Sequence, residues 1–262
     1  MDLIHLAGRR LLTPGGEDLY RQVALLTGLS PGVEVLDVGC GTGAVLEYLV
    51  REHGVQGTGV EADPYLVSRV REHFKEVGLA GDVTLQEASP ANLPFRDKTF
   101  DVAIGEVGLA AAVEPEEAIW ELVRVVRPGG QVVLIQLVWK EALTDVRKET
   151  LTDHLGVKPL MTVELRRILL DAGVEELHIE DWTEGDAASR SRGRKPFPDL
   201  AELFTLGERL GILKKARKRW GWRGVRTALR REMEVHRFLT RERALGLSLV
   251  TGVKSAPPAA GP

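Results

Sequence analysis

Leu36-Asp37-Val38-Gly39-Cys40-Gly41-Thr42-Gly43 decides the reading of this chain. A short apolar strand over Val33–Val38 runs into three alternating glycines, and a helix is predicted from Ala44 to Glu52. Glycines after a buried strand let the backbone pass close to a ligand, where side chains would collide. The helix that follows turns free N–H groups toward an anionic group. The glycines alone also fit the G-x-G-x-x-G/A pattern of dinucleotide-binding folds. Two acids point elsewhere. Asp37, at the end of the first strand, would meet a pyrophosphate unfavourably and an ammonium group favourably. Glu61 ends the second strand and can accept bonds from two ribose hydroxyls.

Outward from this stretch the pattern is a series of βα repeats. Strands are predicted over Val55–Glu61, Val83–Glu87, Phe100–Gly105 and Gln131–Trp139, and helices over Tyr65–Val77 and Glu114–Val126, with a turn at Arg127-Pro128-Gly129-Gly130. That rhythm indicates a parallel sheet covered on both faces. Before it, Asp18–Leu29 carries Leu19, Val23, Leu25 and Leu26 at near-helical spacing. After it come a polar loop with a short helix (Lys140–Pro159), a helix (Thr162–Ala172) and a strand (Val174–Thr183). A polar connection (Glu184–Pro198), two helices broken near Gly221 and Gly224 (Asp199–Leu239) and a last strand (Leu247–Lys254) complete the chain. The expected organisation is an N-terminal helical segment (1–30), a ligand-binding core (31–183), a helical basic insert (184–240), a final core strand (241–255) and a disordered tail (256–262).

Four motifs recur together over residues 30–140: Val35-Leu36-Asp37-Val38-Gly39-Cys40-Gly41-Thr42-Gly43, Gly59-Val60-Glu61, Asn92-Leu93-Pro94-Phe95 followed by Phe100-Asp101, and Arg124-Val125-Val126-Arg127-Pro128-Gly129-Gly130. In order and spacing they resemble the class I S-adenosylmethionine-dependent methyltransferases. The resemblance implies a Rossmann-like, doubly wound α/β sheet of seven strands, mostly parallel with an antiparallel last strand. It implies S-adenosyl-L-methionine as cofactor, S-adenosyl-L-homocysteine as product, and no metal. Asp37, Gly39, Cys40 and Gly41 would surround the methionine moiety, with Gly43 allowing the close turn and Cys40 a small packing residue. Glu61 would hold the ribose and Ala62 would sit beside the adenine. The family commonly has an acid four positions before the leucine of the Leu-Pro-Phe triplet; Ser89 stands there, so Ala88 and Ser89 would meet the base through backbone and hydroxyl groups. Glu106 and Val107 would line the floor near the sulfonium. No catalytic base is named, because a sulfonium methyl is already electrophilic and the protein's task is alignment.

Composition bounds the remainder. With 44% hydrophobic residues and 28% charged, the 262-residue chain can bury a sizeable core. No segment reaches the length of a membrane span, the N-terminus has no signal-peptide pattern, and the one cysteine, Cys40, lies in no zinc-spaced cluster, which together suggest a cytoplasmic protein. The six histidines form no constellation, although His154 and His236 fall in candidate substrate regions. Residues 1–182 hold 17 Lys and Arg against 30 Asp and Glu, whereas residues 183–262 hold 18 against 8. The basic stretch Lys214–Arg223, with Trp220 and Trp222 inside it, could bind an anionic small-molecule acceptor or nucleic acid, or form a solvated face paired with core acids. The leading expectation is methyl transfer to a small molecule. RNA methylation and a cofactor-binding protein without transfer activity are the alternatives, and oligomeric state is not legible.

Overall fold

The computed structural model describes residues 3, 6, 15–110, 113–183, 204–240, 242 and 244–256. Most of the first 14 residues, the Glu184–Pro198 connection and the tail beyond residue 256 fall outside the described residues. The elements run α1 (Gly16–Thr27), β1 (Glu34–Val38), α2 (Ala44–His53), β2 (Gln56–Glu61), α3 (Pro64–Glu76), β3 (Val83–Glu87) and β4 (Phe100–Gly105). They continue through α4 (Pro115–Val125), β5 (Val126–Trp139), α5 (Asp145–Leu155), β6 (Leu160–Met161), α6 (Thr162–Asp171), β7 (Val174–Asp181), α7 (Leu206–Thr240) and β8 (Leu245–Lys254).

The sheet follows the order β3-β2-β1-β4-β5-β8-β7, with the two-residue β6 pairing β5 beside this path. Pairing is parallel from β3 to β5, and β8 lies antiparallel to both β5 and β7. This is the seven-strand Rossmann-like order the motifs implied. Alternation along buried strands divides the core in two. Val35, Val102, Ile104, Val133 and Ile135 face Leu19, Tyr20 and Val23 of α1, Leu46 and Leu49 of α2, and Val70 and Phe74 of α3. Leu36, Val38, Ala103, Val132 and Leu134 face Ile119 and Leu122 of α4 and Leu165, Ile168 and Leu169 of α6. A third, smaller core joins Leu3, Phe204 and the α7 residues Ile212, Ala216, Val225 and Ala228.

Three local expectations change. Leu25 is 76% exposed, because the buried face of α1 is Leu19, Tyr20, Val23 and Ala24, and Leu25 lies about 100° beyond Ala24. β5 begins at Val126, which already pairs with Phe100; Arg127-Pro128-Gly129-Gly130 then loops out of the ladder, with a positive φ at Gly129, before pairing resumes at Val102 with Gln131. In α7 the break falls at Gly221 alone (φ 66°, ψ 178°), while Gly224 stays helical.

The Arg-rich motif proves to be scaffolding. Arg124 on α4 donates to Glu121, to Asp97 and to the Leu93 and Phe95 carbonyls, and Glu121 in turn accepts from the Leu93 N–H. One guanidinium thereby clamps the Asn92–Asp97 loop onto α4. Arg127 bridges Asp101 and Glu34, tying β5 to β4 and β1. Lys254 at the end of β8 donates to the Val123, Arg124 and Val126 carbonyls, capping the C-terminus of α4.

Arg124→Met leaves the Leu93 and Phe95 carbonyls and Glu121 without their charged donor, and should cost about 2 kcal/mol of stability. The hydrogen bond to Arg124 holds the Glu121 carboxyl below its ordinary range. A depressed carboxyl stabilises above its unfolded pKa and loses that contribution as pH falls through the folded value. Thermal unfolding should therefore show a wide gap between wild type and variant near neutral pH and a narrower one in acid.

Candidate functional site

The site is built by sheet register. Val38 of β1 pairs with Val60 of β2 on one side and with Gly105 of β4 on the other. The next residue of each strand, Gly39, Glu61 and Glu106, therefore emerges side by side at the carboxyl ends of three adjacent parallel strands. Crossovers leave β1 toward β2 and β4 toward β5, in opposite directions, so this is the switch point where open α/β sheets leave a crevice.

The glycine loop is held from below and from the side. The N–H groups of Gly39 and Cys40 both donate to the Val60 carbonyl (2.9 and 3.1 Å), and that of Gly43 to the Cys40 carbonyl (2.8 Å). Glu61 completes the frame: Oε2 accepts from the Gly41 N–H at 3.0 Å, and Oε1 accepts from the N–H groups of Ala62 (2.9 Å) and Asp63 (3.0 Å). The carboxylate thus already anchors the backbone around it. The three glycines serve different ends. A Cβ at Gly39 would stand 3.0 Å from the Gly108 carbonyl carbon, in the turn after β4, and a Cβ at Gly43 (φ +70°) would stand 2.6 Å from Val70 of α3. At Gly41 (φ +51°) it would meet no atom nearer than 3.9 Å, so that space lies open above the loop.

Below the loop lies Asp37, fully buried, with neither carboxylate oxygen hydrogen-bonded. Burial, and then the charges of Glu106 and Glu61, push its pKa well above the usual carboxylate range. Burial, followed by the charges of Asp37, Glu61 and Glu106, likewise raises the Cys40 thiol, which packs beneath Gly59 as an inert small side chain. Buried polar groups are ordinarily paired, so an orphaned carboxylate among two more carboxylates marks a place that favours a cation.

Two contributors escaped the sequence reading. The buried Tyr20 hydroxyl of α1 donates to Glu106 Oε1 at 2.6 Å, and the Gln136 amide of β5 donates to the Gly105 and Glu106 carbonyls at 2.9 and 2.6 Å. Together they fix where Glu106 leaves β4. A tyrosine within the apolar face of α1 was the available signal; its partner lies 86 residues away. The Ala88 N–H donates to the Glu61 carbonyl (3.2 Å), which brings the end of β3 alongside, and Ser89 Oγ accepts from the Ala91 N–H (3.3 Å). The tryptophans do not form one platform. Trp220 packs into the third core, whereas Trp222, beyond the Gly221 break, is exposed beneath the Arg217 guanidinium. Arg219 lies 5.3 Å over the ring of Tyr65, four residues after Glu61. His154 and His236 lie on α5 and α7. Among the described residues no group of His, Cys, Asp and Glu could hold a metal ion, and no helix is long and apolar enough to cross a membrane.

Residues 36–134 match a family described as a methyltransferase domain. Methyltransferase GfsG of Streptomyces halstedii is 26% identical over 215 residues, covering 80% of this chain and 76% of that protein. O-methyltransferase cnsE of Penicillium expansum is 29% identical over 170 residues, covering 64% of this chain and 62% of that protein, so the match spans less than two thirds of this relative's length. Among solved structures, the 4+2 cyclase SpnF superposes with a TM-score of 0.71 at 26% identity, over 92% of this chain and 82% of that one.

Gly43→Ala combines a left-handed backbone with a clash against Val70, and should destabilise the fold by about 2–4 kcal/mol, whereas Gly41→Ala should cost only about 1–2 kcal/mol. Chemical denaturation of both variants checks the contrast. Asp37 carries the opposite sign. A buried acid whose pKa is raised binds its proton more tightly when folded, so the ligand-free fold loses stability as pH rises from the unfolded pKa through the folded one. Asp37→Asn should therefore raise the melting temperature of the ligand-free protein at neutral pH by roughly 2–4 °C, the shift for about 1 kcal/mol. The gain should shrink in acid.

Proposed function

We infer the reaction from a premise now in place: the chain belongs to the class I S-adenosylmethionine-dependent methyltransferases. The observation that carries the assignment of the site is the orphaned Asp37 carboxylate with Glu61 and Glu106 around it. S-adenosylmethionine brings an ammonium and a sulfonium, the charges such a crevice favours, and it supplies a methyl group already activated on sulfur. A nicotinamide dinucleotide would instead bring its pyrophosphate among three acids.

On this reading the chain's own residues divide the work. Asp37 meets the cationic end of the methionine moiety, and Gly39, Cys40 and Gly41 give it a backbone wall without side chains. The open space above Gly41 is kept for the ligand, while Gly43 acts at one remove by letting the loop close onto α3. Glu61 takes the ribose hydroxyls, with its three backbone donors holding it in position. Ala62, Ala88 and Ser89 border the adenine. Glu106, aimed by Tyr20 and Gln136, lines the floor where an acceptor must come into line with the S–CH₃ bond. Transfer then depends on alignment and on exclusion of water.

The acceptor we propose is a small molecule. One relative carries the name O-methyltransferase and another that of a norajmaline N-methyltransferase, which supports a small-molecule acceptor and leaves the accepting atom open. The insert over residues 184–240 is assigned as a cap joined to the cofactor side through Arg219 and Tyr65, with α7 as its described helix. With Trp220 and Trp222 on different sides of that helix, an aromatic clamp for an anionic acceptor loses its support.

Calorimetric titration should give binding of S-adenosylmethionine and S-adenosylhomocysteine and none of the nicotinamide dinucleotide; the reverse result would falsify the assignment. Glu61→Ala should weaken cofactor binding by roughly 1.5–3 kcal/mol. It should also lower the melting temperature, because the Gly41, Ala62 and Asp63 N–H groups lose their acceptor. Methyl-labelled cofactor offered with phenols, amines and enols then reports the accepting atom by the product that takes the label.

A further inference from the structure

The long helix α7 has two sides of opposite character. One side packs: Ile212, Ala216, Val225 and Ala228 enter the third core, and Arg231 donates to the Asp153 carbonyl of α5 at 3.0 Å. The other side is open. Before the Gly221 break, Leu206, Leu210, Lys214 and Lys218 follow one another at four-residue steps with Arg217 alongside, and all are exposed. After the break, Trp222, Arg226, Arg230 and Met233 follow at steps of four, four and three, again all exposed. Residues three and four apart share one helix face, so each half carries a continuous outer stripe. The Arg217 guanidinium, 5.1 Å over the Trp222 ring, joins the two stripes across the break.

Charge and hydrocarbon are interleaved in these stripes. Between Leu206 and Met233 the chain carries ten Lys and Arg against two Glu. Lys214, Lys218, Arg223, Arg226 and Arg230 have no carboxylate partner among the described residues. The reading of the basic stretch as a face paired with core acids therefore does not hold for them. Among these cations stand four large apolar side chains: Leu206 is 72% exposed, Leu210 68%, Trp222 68% and Met233 72%. Cations alone would suit any polyanion. A nucleobase would stack on Trp222 alone and leave Leu206, Leu210 and Met233 uncovered, whereas a partner with hydrocarbon directly beneath its anionic groups meets all four.

We propose that the outer face of α7 is a docking surface for an anionic phospholipid bilayer. The helix lies in the interfacial plane, with Lys214, Lys218, Arg226 and Arg230 at the headgroup phosphates and Leu206, Leu210, Trp222 and Met233 entering the acyl boundary. The packed side of α7 keeps it attached to the core, so the association is peripheral. Nothing in this depends on the identity of the methyl acceptor.

Vesicle co-sedimentation of the full chain tests it. The wild type should partition onto phosphatidylcholine vesicles containing phosphatidylglycerol, bind phosphatidylcholine alone at least about tenfold more weakly, and come off progressively as salt is raised. Lys214→Gln, Lys218→Gln, Arg226→Gln and Arg230→Gln together should lower partitioning at least about tenfold. Leu210→Ser with Trp222→Ser should lower it by at least about threefold while leaving the basic residues in place. These positions are solvent-exposed and lie outside the cofactor crevice, so far-ultraviolet circular dichroism and cofactor affinity should match wild type and separate loss of docking from loss of fold. Absence of wild-type binding to anionic vesicles overturns the proposal. So does binding that ignores the Leu210/Trp222 change, and so does a single-stranded RNA oligomer binding where vesicles do not, which would assign the face to nucleic acid.

Discussion

Everything at the site rests on one row of parallel pairing. Because Val38 is in register with Val60 and with Gly105, the next residues of β1, β2 and β4 leave the ladder together. That row delivers the glycine loop, Glu61 and Glu106 to one crevice although the two acids are 22 and 67 residues away from Gly39 along the chain. A slip of one residue in either pairing would turn the carboxylates to the opposite faces of the sheet. The register is secured by burial on both faces: Leu36 and Val38 can face only the α4 and α6 side, and Val35 only the α1, α2 and α3 side.

Within that frame, stability and function pull against each other at Asp37. A carboxylate with no hydrogen-bond donor, beside two more acids, is a cost the folded chain carries, and a cationic ligand would offset it. The compensation lies in the ordinary parts of the fold. Arg124 satisfies two loop carbonyls and two carboxylates at once, Arg127 ties three strands together, and Lys254 caps α4. The basic residues of the Arg124–Gly130 motif thereby secure α4 and the amino-terminal ends of β1 and β4, opposite the crevice at the carboxyl ends.

The charge split of the chain acquires a location. The acidic first part contains the crevice, where the carboxylates of Asp37, Glu61 and Glu106 meet; among the described residues after 183 the basic charge lies mostly on α7, which stands between β7 and β8 in the chain and outside the sheet. Its one described ring contact with the core is Arg219 over Tyr65, beside the Glu61–Asp63 turn. The same helix thus touches Tyr65 with one face and offers, with the other, exposed hydrocarbon and cations that have no carboxylate partner among the described residues.

Much of this was legible in the residues alone. Apolar strands alternating with amphipathic helices specified a parallel α/β sheet, since both signals are local and periodic. The glycine spacing marked a strand-to-helix turn where a ligand can approach the backbone, since glycines after a buried strand leave no side chains in the way, and Asp37 beside it set the expectation of a cation in place of a pyrophosphate. What remained hidden depended on contacts between distant segments. Tyr20 reads as one more apolar residue of α1 until its hydroxyl is seen to meet Glu106, and Glu61 reads as a free strand end until its oxygens are seen to hold three backbone N–H groups. Trp220 and Trp222 stand together inside the basic stretch in sequence, but the positive-φ break at Gly221 separates them, and one packs into a core while the other faces solvent. Sequence determines what is periodic and what chemistry a residue type permits. Only the tertiary structure decides which groups share a crevice and which side of a helix is left uncovered, because those outcomes depend on the packing of segments the chain does not place side by side.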